Sequence, residues 1–501
     1  MAGGIQVEGL GSTDIDNQAE LKNSPSIGGL GLELHQRLSK YYGRLDELED
    51  VLANGLKRPE VWKFESCVAE KVIKDWLDEY PALTIIKSWL VEDEDAVQKE
   101  GNIVTSCKLA NGQVIYAKYF IEASYEGDFL PLAGISTIIG RERSSTYNES
   151  LAGIRADTKY TQFDVPVDPY IITGDPSSGL IFGISPEPFG EPGSGDEHLA
   201  GYSYRLPLTD VESNKLPLYK PLGYDPAHYE LHRRYLRAGG KLYTPRLKGI
   251  PKNKTDLIGS EAVLATDLLG MNDDWPKASS QERQRILEET ATFTKGLIWF
   301  FANDESVPAD MRNEWSRFGY CLNEFPDNNH FPRQLYIRDA RRMLSDYVIT
   351  QHTATDRDHG GDEEDPYPVA IAYWPTDTHC ARRIVRNGLA HNEGFVFKEK
   401  HHWRPFGISY RALVPKRNEA VNVLTATCPS SSHVGYGAVR IEHQFYELGQ
   451  ACANACDIAL ARGNLAVQDV PYDVLREQLL KQGAVLDVGL VGKPDFSVLG
   501  F

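Results

Sequence analysis

The segment AVNVLTATCPSSSHVGYGAVRIEHQFYELGQACANACDIALARG, residues 420–463, decides the fold predicted for this chain. Its apolar run 420–427 predicts a strand, and the serine-rich stretch that follows predicts a turn. The alanine-rich remainder predicts a helix from Gly435 to Arg462, which Gly463 ends. A helix in this position directs unpaired N–H groups and a positive dipole end beyond the carboxyl edge of the strand. That edge suits a phosphate or an electron-rich carbonyl.

A β-hairpin is predicted upstream, in the segment IVTSCKLANGQVIYAKYFIEAS at residues 103–124. The dipeptide Asn111-Gly112 lies between two β-prone runs, and it tolerates the positive φ angles of a type I′ turn. The second arm, YFIEAS, runs into a turn that carries Asp128. We therefore expect a buried strand that ends in a carboxylate-bearing turn.

Three further helices are predicted from hydrophobic spacing. Apolar residues recur on one helical face in 28–43 and again in 59–80. A capping box, Ser279-x-x-Glu282, predicts the start of another helix before a run of apolar residues. An additional helix is predicted over 335–350. The chain thus has the helix and strand content of an α/β protein.

Composition limits the kinds of partner that this chain can have. The 501 residues include 53 Lys and Arg against 71 Asp and Glu, which gives a formal charge of −18. Such an acidic chain repels phosphate backbones and anionic lipid, so neither nucleic acid nor a membrane is an expected partner. Hydrophobic residues at 41% and charged residues at 25% are typical of a folded globular protein, of roughly two or three domains at this length.

The cysteines and the N-terminal residues bear on the compartment. The seven cysteines are scattered and form no C-x-x-C motif, which favours a reducing compartment over a secreted disulfide scaffold. The first residues have neither a basic region nor an apolar core of the kind found in export signals. No stretch approaches the roughly 18 apolar residues of a membrane span. We therefore expect a cytoplasmic protein.

Several segments together resemble the FAD-dependent oxidoreductase family. They include GGIQVEGLGSTDIDN at 3–17, FIEASYEGDFLPLAGIS at 120–136, YNESLAGIR at 147–155, LYIRDARRMLSDYVITQ at 335–351 and the segment SSSHVGYGAVRIE that begins at Ser430. Their number and order are specific, and the resemblance spans most of the chain. It implies an α/β, glutathione-reductase-like flavin fold with an inserted α+β substrate domain, and FAD as the cofactor.

The chain departs from the family pattern in one respect. Such flavoproteins open with a strand, a G-x-G-x-x-G loop, a helix and a second strand, the unit that holds the adenosine and pyrophosphate of FAD. The sequence contains no G-x-G-x-x-G. We therefore expect an N-terminally truncated fold without its first βαβ unit, either because the start codon is misassigned or because the module is lost.

The resemblance implies a division of the chain into domains. Residues 1–140 would form the first part of the FAD-binding domain and residues 405–475 its C-terminal strand and helix. Between them, 141–404 would form the inserted substrate or cap domain, since this region is rich in loops. Within it, the polar and acidic stretch 353–366 is predicted to be a mobile loop. Residues 476–501 would be a C-terminal tail.

The resemblance also implies cofactor-binding residues in the first part of the chain. Gly3 and Gly4 align with a glycine pair that lets the backbone approach the cofactor; the alternative is a flexible terminus. Asp14 would line the ring pocket, and outside the resemblance it would be a solvated turn residue. Asp128 would lie by the ribityl-pyrophosphate part, although alone it would only end a strand.

In the C-terminal part the candidates surround the turn between the strand and the helix. Ser432 and Arg440 are predicted to bind the cofactor, with an ordinary helix arginine as the alternative for Arg440. Gly449 and Gln450 resemble the family's Gly-Gln within the final helix, and core packing explains them equally well. His433 is the predicted catalytic acid or base, because imidazole titrates near neutrality; the alternative is a helix-capping histidine.

Three residues of the inserted region are predicted to contact substrate, namely Asp377, His379 and Glu393. No metal site is expected, because the histidine and cysteine pairs lack the ligand spacing of a zinc site. From His232 to Lys254 the chain carries eight basic residues and no acid. This basic run predicts either a solvated face that balances acidic neighbours, or a surface that steers an anionic substrate or docks against the acidic loop.

These observations lead to two hypotheses about function. The first is a flavin-dependent oxidoreductase that transfers hydride from an organic small molecule to FAD, with His433 or a nearby carboxylate taking the proton. The alternative, motivated by the absent glycine loop, is a non-redox binding or scaffold protein, or a cofactor-independent lyase or isomerase on a degenerate flavoprotein fold. The substrate, the electron acceptor and the oligomeric state have no signature in the sequence.

Overall fold

Helices and short strands alternate along the chain in the computed structural model, which describes residues 2–13, 15, 24–54, 58–397 and 402–491. Numbered in chain order, the α-helices of these residues are α1 Gly29–Tyr41, α2 Leu45–Asn54, α3 Ser66–Asp78, α4 Phe129–Leu132, α5 Ser144–Tyr147, α6 Glu230–Arg237, α7 Ser280–Asn303, α8 Ala309–Ser316, α9 His433–Val439, α10 Glu442–Ala461 and α11 Tyr472–Lys481.

The strands of the described residues are short. They are β1 Val97–Glu100, β2 Ile103–Lys108, β3 Val114–Tyr116, β4 Phe120–Glu122, β5 Thr137–Ile138, β6 Leu208–Thr209, β7 Lys215–Pro217, β8 Leu247–Ile250, β9 Lys254–Thr255, β10 Gly319–Cys321, β11 Arg342–Met343, β12 Pro368–Ala372, β13 Asp377–Thr378, β14 Arg382–Arg386, β15 Leu389–Glu393, β16 Val396–Phe397, β17 Phe406–Ser409 and β18 Val423–Thr425. Mixed helix and sheet content agrees with the α/β class predicted from the sequence.

The strand, turn and helix of residues 420–463 are present, but the predicted single helix is wrong. The chain forms two helices, α9 and α10, separated at Arg440 and Ile441. Ile441 is extended, with ψ at 132°, so the helical hydrogen-bond ladder cannot continue through it. Gly435 lets α9 approach its neighbours closely, since a Cβ there would lie 2.2 Å from the carbonyl oxygen of Ile349.

The predicted hairpin is confirmed, although its second arm is shorter than expected and Asn111 does not take the positive φ angle of a type I′ turn. Strands β2 and β3 pair antiparallel around the Asn111-Gly112 turn, and β1 completes a three-stranded sheet. The next strand, β4, belongs to a different pairing: it lies parallel to β18, with Ile121 opposite Leu424. This parallel pair joins the first third of the chain to its C-terminal region, and the turn after each strand faces the same edge.

A five-stranded antiparallel sheet forms the middle of the chain, in the order β7-β10-β6-β9-β8. Helix α7 covers it and begins at the predicted capping box, where the Ser279 side chain accepts a hydrogen bond from the Glu282 main chain. The core between them is rich in aromatic side chains, including Phe300, Phe301 and Trp315, which are fully buried. This core fixes the segment 335–340, which borders the site described below.

The helix predicted over residues 335–350 is wrong, because that segment is extended and contains β11. Its residues are buried at nearly every position from Leu335 to Met343, whereas a surface helix would bury one face only. The hydrogen bonds of Arg342 explain why this segment is extended. Its guanidinium donates to the main-chain oxygens of Ser431 and Gly140, and such hydrogen bonds to neighbouring chain segments hold the strand in place.

Helix α1 packs against α10, and α2 and α3 pack against α1. The helix predicted over 28–43 corresponds to α1, whereas 59–80 is divided into a 3₁₀ turn, Pro59–Trp62, and α3. The acidic loop 353–366 contains one 3₁₀ turn, Arg357–His359, and its mobility stays a prediction. Among the described residues no helix combines the length and the apolar character needed to cross a membrane.

Candidate functional site

Arg440 is buried at the break between α9 and α10. Its guanidinium donates from Nε and Nη2 to the main-chain oxygen of Asp377, at 3.0 and 2.9 Å. A third donor, Nη1, lies 3.1 Å from the hydroxyl oxygen of Tyr336. Because the guanidinium is planar and always charged, these bonds hold a positive charge between β13, the 335–340 segment and the start of α10.

His379 follows β13 and is buried beside three arginines. Nη1 of Arg338 lies 3.2 Å from its Nε2, and since arginine only donates, Nε2 accepts and the ring hydrogen is on Nδ1. Burial, together with the guanidinium groups of Arg338, Arg440 and Arg205, holds the pKa of His379 well below its usual range. The ring is therefore neutral, and in the described part of the chain its Nδ1 has no hydrogen-bond partner.

The Ser432 and His433 side chains lie at the start of α9. The Ser432 hydroxyl accepts a hydrogen bond from the Gly435 main chain at 3.0 Å and donates to Oε1 of Glu149 at 2.6 Å. Nδ1 of His433 lies 3.2 Å from Oδ2 of Asp339, and both residues are buried. The predicted N-terminal position of His433 on the helix is confirmed, and a carboxylate faces its ring.

Helix α10 begins without a capping side chain, since Ile441 at its N-cap position makes no side-chain hydrogen bond to the helix. The first residue, Glu442, accepts a hydrogen bond from the Tyr125 hydroxyl at 2.8 Å, and that hydroxyl accepts one from the Ile5 main chain at 3.0 Å. Burial raises the pKa of Glu442 to about 7, despite the opposing effect of the Tyr125 hydrogen bond and Arg440. This carboxyl group can thus carry a proton near neutral pH.

The second residue of the early glycine pair lies against the same tyrosine. Gly3 and Gly4 have φ angles of 98° and 52°, which favour glycine. A Cβ at Gly4 would lie 2.2 Å from the hydroxyl oxygen of Tyr125, whereas a Cβ at Gly3 would meet Ile73 and Val7. Gly4 therefore lets the N-terminal segment approach Tyr125, which in turn contacts the start of α10.

Unpaired buried polar atoms lie on both sides of the α9–α10 break. On one side they belong to Gln6, Glu442, His443 and Gln444, and on the other to Asp377 and His379. Within the residues that the structure describes, these atoms have no hydrogen-bond partner. Since nearly all buried polar groups in folded proteins are hydrogen-bonded, such a concentration points to a bound polar group between them. Arg440 lies beside three of them, Asp377, His379 and Glu442, and we call the cluster the break site.

Two predicted residues lie in ion pairs away from the break site. Asp128 contacts Arg283 at 2.5 Å and Arg341 at 2.6 Å, which ties the turn after β4 to α7. Glu393 is fully buried between Arg141 and Arg382. Burial alone would raise its pKa, but the two guanidinium groups lower the pKa of Glu393 to about 2.

The Gly449 and Gln450 positions also lie apart from the break site. Gln450 accepts a hydrogen bond from the main chain of Leu30 at 2.9 Å and donates to Gln482 at 2.8 Å, so it holds the start of α1. A Cβ at Gly449 would meet nothing within 4 Å. Asp14 lies outside the described residues.

Eight residues of the break site or bonded to it were not predicted from the sequence. They are Gln6, Tyr125, Tyr336, Arg338, Asp339, Glu442, His443 and Gln444. All but His443 and Gln444 lie in segments that carry the family resemblance, but they belong to regions distant in sequence. Only the fold shows that these regions converge.

The basic run from His232 to Lys254 is largely neutralised by neighbours. Arg233 pairs with Asp304 at 2.8 Å, and Arg234 pairs with Glu230 at 3.0 Å. Lys254 is fully buried. These contacts favour the first interpretation of the run, in which its charges balance acidic neighbours.

The potential metal ligands of the described residues include one close group, formed by Glu65, Cys67 and Glu324. Nζ of Lys254 lies 2.6 Å from each of the two carboxylates. The ammonium group thus takes the place that a cation would need, and the group joins α3 to the five-stranded sheet.

The comparisons with known proteins identify one family. The sequence profile described as FAD dependent oxidoreductase matches residues 1–479. No curated protein and no solved structure matches the chain.

Proposed function

Because the chain belongs to the FAD dependent oxidoreductase family, and its cofactor is therefore FAD, we propose that it transfers hydride from an organic small molecule to FAD bound at the break site. The single observation that carries the location is the concentration of unpaired buried polar atoms around Arg440. When bound, FAD supplies the two-electron acceptor, while the protein supplies binding, orientation and charge.

The residues of the break site fit the ring of a flavin. An isoalloxazine presents two carbonyl oxygens and several ring nitrogens, so it needs donors and acceptors in one plane. The uncapped start of α10 offers main-chain N–H groups, as any helix start does, and Gln6 and His443 offer buried side-chain donors. The positive end of α10 and the Arg440 guanidinium would stabilise negative charge on a reduced ring.

We further propose that His433 accepts the proton that the substrate loses. A charged imidazole would be stabilised by Asp339, whose Oδ2 lies 3.2 Å from Nδ1 of His433. His379 stays neutral next to Arg338 and would orient the substrate by donating from Nδ1. Arg440 holds Asp377 through its main chain, and Trp374 contacts Oδ2 of its carboxylate, so Oδ1 is the oxygen that would contact substrate. General acid–base catalysis of this kind contributes typically 10²–10⁴-fold in rate.

The finer features of the fold stay part of the proposal. We propose a glutathione-reductase-like arrangement in which residues 141–404 form the inserted substrate domain, and 1–140 and 405–475 bind FAD. The parallel pairing of β4 with β18, which joins these two parts, supports it. All seven cysteines are free thiols, which supports a reducing compartment such as the cytoplasm.

Anaerobic reduction tests the proposed activity. The purified protein, with its FAD, is mixed without oxygen with a panel of alcohols, amines and hydroxy acids, and the flavin absorbance is followed. Bleaching by one substrate class, slowed in His433→Asn, would support the proposal. Stoichiometric release of an unsaturated product without bleaching would instead favour a lyase.

A further inference from the structure

Arg383 is a buried cation without an acidic partner. It lies on β14 and is 6% exposed, and because burial lowers its pKa only to about 10, it keeps its charge near neutral pH. Its Nε donates to Oδ1 of Asn392 at 2.8 Å, and its Nη2 donates to the main-chain oxygen of Val263 at 3.3 Å. Among the described residues it forms no ion pair with a carboxylate. Since buried charges in proteins are nearly always paired, this guanidinium points to a negatively charged ligand.

The remaining nitrogen of this guanidinium is open. Nη1 makes no hydrogen bond within the residues that the structure describes, and it is not one of the buried atoms that have lost their accessible surface. Asn392, which holds Nε, is 1% exposed and also donates to the main-chain oxygens of Thr161 and Val263, at 2.6 and 3.1 Å. These bonds fix the guanidinium, so Nη1 is an accessible donor in a preformed position.

Arg383 lines a small cavity that nothing described so far uses. The space open to a water-sized group is about 10 Å³, which holds roughly one such group, and the empty space that includes the solvent at the mouth is about 250 Å³. Its size therefore suits the head of a small molecule rather than a ring. Other residues of the lining include Thr161, Ser260, Val263, Asp267 and His379. We call this cavity the Arg383 pocket.

The main chain of the Arg383 pocket is rich in unused donors. Ser260, Ala262, Val263 and Ala265 line it, and none of their main-chain N–H groups donates a hydrogen bond within the described part of the chain. Val263 and Ala265 are buried, and buried N–H groups without partners are rare. Consecutive main-chain N–H groups of a turn segment can form a concave anion site. The donors of this segment thus support the same ligand charge as Arg383 does.

One acidic side chain is part of the described lining, and another arginine already contacts it. Oδ1 of Asp267 lies 3.5 Å from Nη2 of Arg338. The thiol of Cys380, also in the lining, is uncharged because burial raises its pKa to about 12. Arg338 and Arg383 therefore share a single carboxylate near the pocket, which leaves one positive charge unmatched.

We propose that the Arg383 pocket binds the carboxylate of a small organic acid, through Nη1 of Arg383 and the unused main-chain donors beside it. A carboxylate carries one negative charge and two acceptor oxygens, which matches one unmatched cation and several donors. The inference does not rest on the proposed redox function, because binding is measured without turnover. A failure of one proposal therefore leaves the other intact.

The carboxylate has two possible sources, a free acid or the substrate itself, because His379 belongs to both the Arg383 pocket and the break site. Only this distinction rests on the proposed function. If the carboxylate is part of the substrate, formate inhibits flavin reduction competitively and Arg383→Met raises KM. If it is a free acid, formate binds without changing KM. Both results support carboxylate binding, and they differ in its source.

Ligand-observed NMR with the full chain tests the binding. The probes are formate and acetate, and formamide is the matched control, since it has the shape of formate without the charge. We expect saturation transfer to at least one of the two acids and a clearly weaker transfer to formamide. Equal transfer to formate and formamide, or transfer to neither acid at millimolar concentration, would overturn the proposal. Displacement of formate by chloride as readily as by acetate would overturn the assignment to a carboxylate.

Variants locate the site. Arg383→Met should weaken formate binding about tenfold or more, because it removes the charge and the Nη1 donor. Arg386→Met, at the end of the same strand and outside the lining, should leave it unchanged. If Arg383→Met fails to fold, Ser260→Asp decides, because a carboxylate on this half-buried residue of the lining should repel formate, whereas Ser260→Asn should not. Equal affinity within each pair of variants would contradict the assignment.

Discussion

The hydroxyl of Tyr125 and the carboxylate of Glu442 share a hydrogen bond of 2.8 Å, although the two residues lie 317 positions apart. The bond joins the turn after β4 to the first residue of α10, and the same hydroxyl receives the main-chain N–H of Ile5. Three distant segments therefore meet at one oxygen atom. This contact forms one wall of the break site.

Substitution of Gly4 tests the close approach of the N-terminal segment to Tyr125. A methyl group at Gly4 would overlap the tyrosine hydroxyl, so Gly4→Ala should lower the free energy of unfolding by about 3 kcal/mol or more. Gly43→Ala is the matched control, since its φ is also positive but a Cβ there meets nothing within 4 Å; it should cost about 1 kcal/mol. Chemical denaturation measures both, and equal losses would argue against the contact.

The buried carboxyl group of Glu447 predicts a pH dependence of stability. Burial raises the pKa of Glu447 to about 8, above its pKa in the unfolded chain. At a pH between these two pKa values, Glu447 is protonated in the folded protein and ionised in the unfolded chain. Stability from this group is therefore full in acid and lost as the pH rises toward 8. Between pH 6 and 9 the free energy of unfolding should fall by ~2.5 kcal/mol from this group alone.

The comparison with Glu447→Gln isolates that contribution. Glutamine keeps an acceptor for the Gly28 main chain, whose nitrogen lies 2.8 Å from Oε1, but it does not titrate. The variant should lose less stability than the wild type between pH 6 and 9, whereas Glu477→Gln on the exposed face of α11 should behave as the wild type. If the free energy of unfolding changes with pH in the same way in all three proteins, Glu447 is ionised in the folded protein.

Lys254 predicts a large loss of stability on truncation. Its ammonium group lies between the buried carboxylates of Glu65 and Glu324, each at 2.6 Å. Lys254→Met leaves two buried acids without the ammonium group between them and should cost about 3–5 kcal/mol. Lys252→Met removes a largely exposed lysine 3.4 Å from Glu65 and should cost less than about 1 kcal/mol. Thermal or chemical denaturation distinguishes the two, and a small effect of Lys254→Met would mean that the cluster is hydrated.

The role proposed for His433 predicts a kinetic effect without loss of cofactor. His433→Asn should slow anaerobic flavin reduction by roughly 10²-fold or more, because it removes the proposed proton acceptor. FAD content should stay the same, since the imidazole is not among the groups proposed to hold the ring. His228→Asn, a half-buried histidine outside the break site, is the control. An unchanged rate in His433→Asn would assign the proton to another group.

Local patterns predicted the local structure well. The Asn111-Gly112 turn and the Ser279 cap both rest on interactions within a few residues, and both are confirmed. The helix predicted over 335–350 is wrong because the structure of this segment depends on residues distant in sequence. Its apolar and charged residues suggest a helical face, but Arg342 and its neighbours are held by contacts with distant chain segments.

The break site was predicted only in part. His433, Arg440, Asp377 and His379 were identified from the sequence, and the structure brings them together. The helix break at Ile441 gave no local signal, and Tyr125 reaches Glu442 only through the parallel pairing of β4 with β18. Asp128 and Glu393 have residue types suited to a site, but their partners are arginines that neutralise them.

The flavin content of Arg440 variants tests the central claim most directly. FAD per chain is measured by absorbance and by release after denaturation, in the wild type, in Arg440→Met and in Arg462→Met, an exposed arginine at the end of α10. We predict stoichiometric FAD in the wild type and in Arg462→Met, and at least a tenfold weaker affinity in Arg440→Met. A folded but colourless wild type, or equal FAD content in the two variants, would contradict the account.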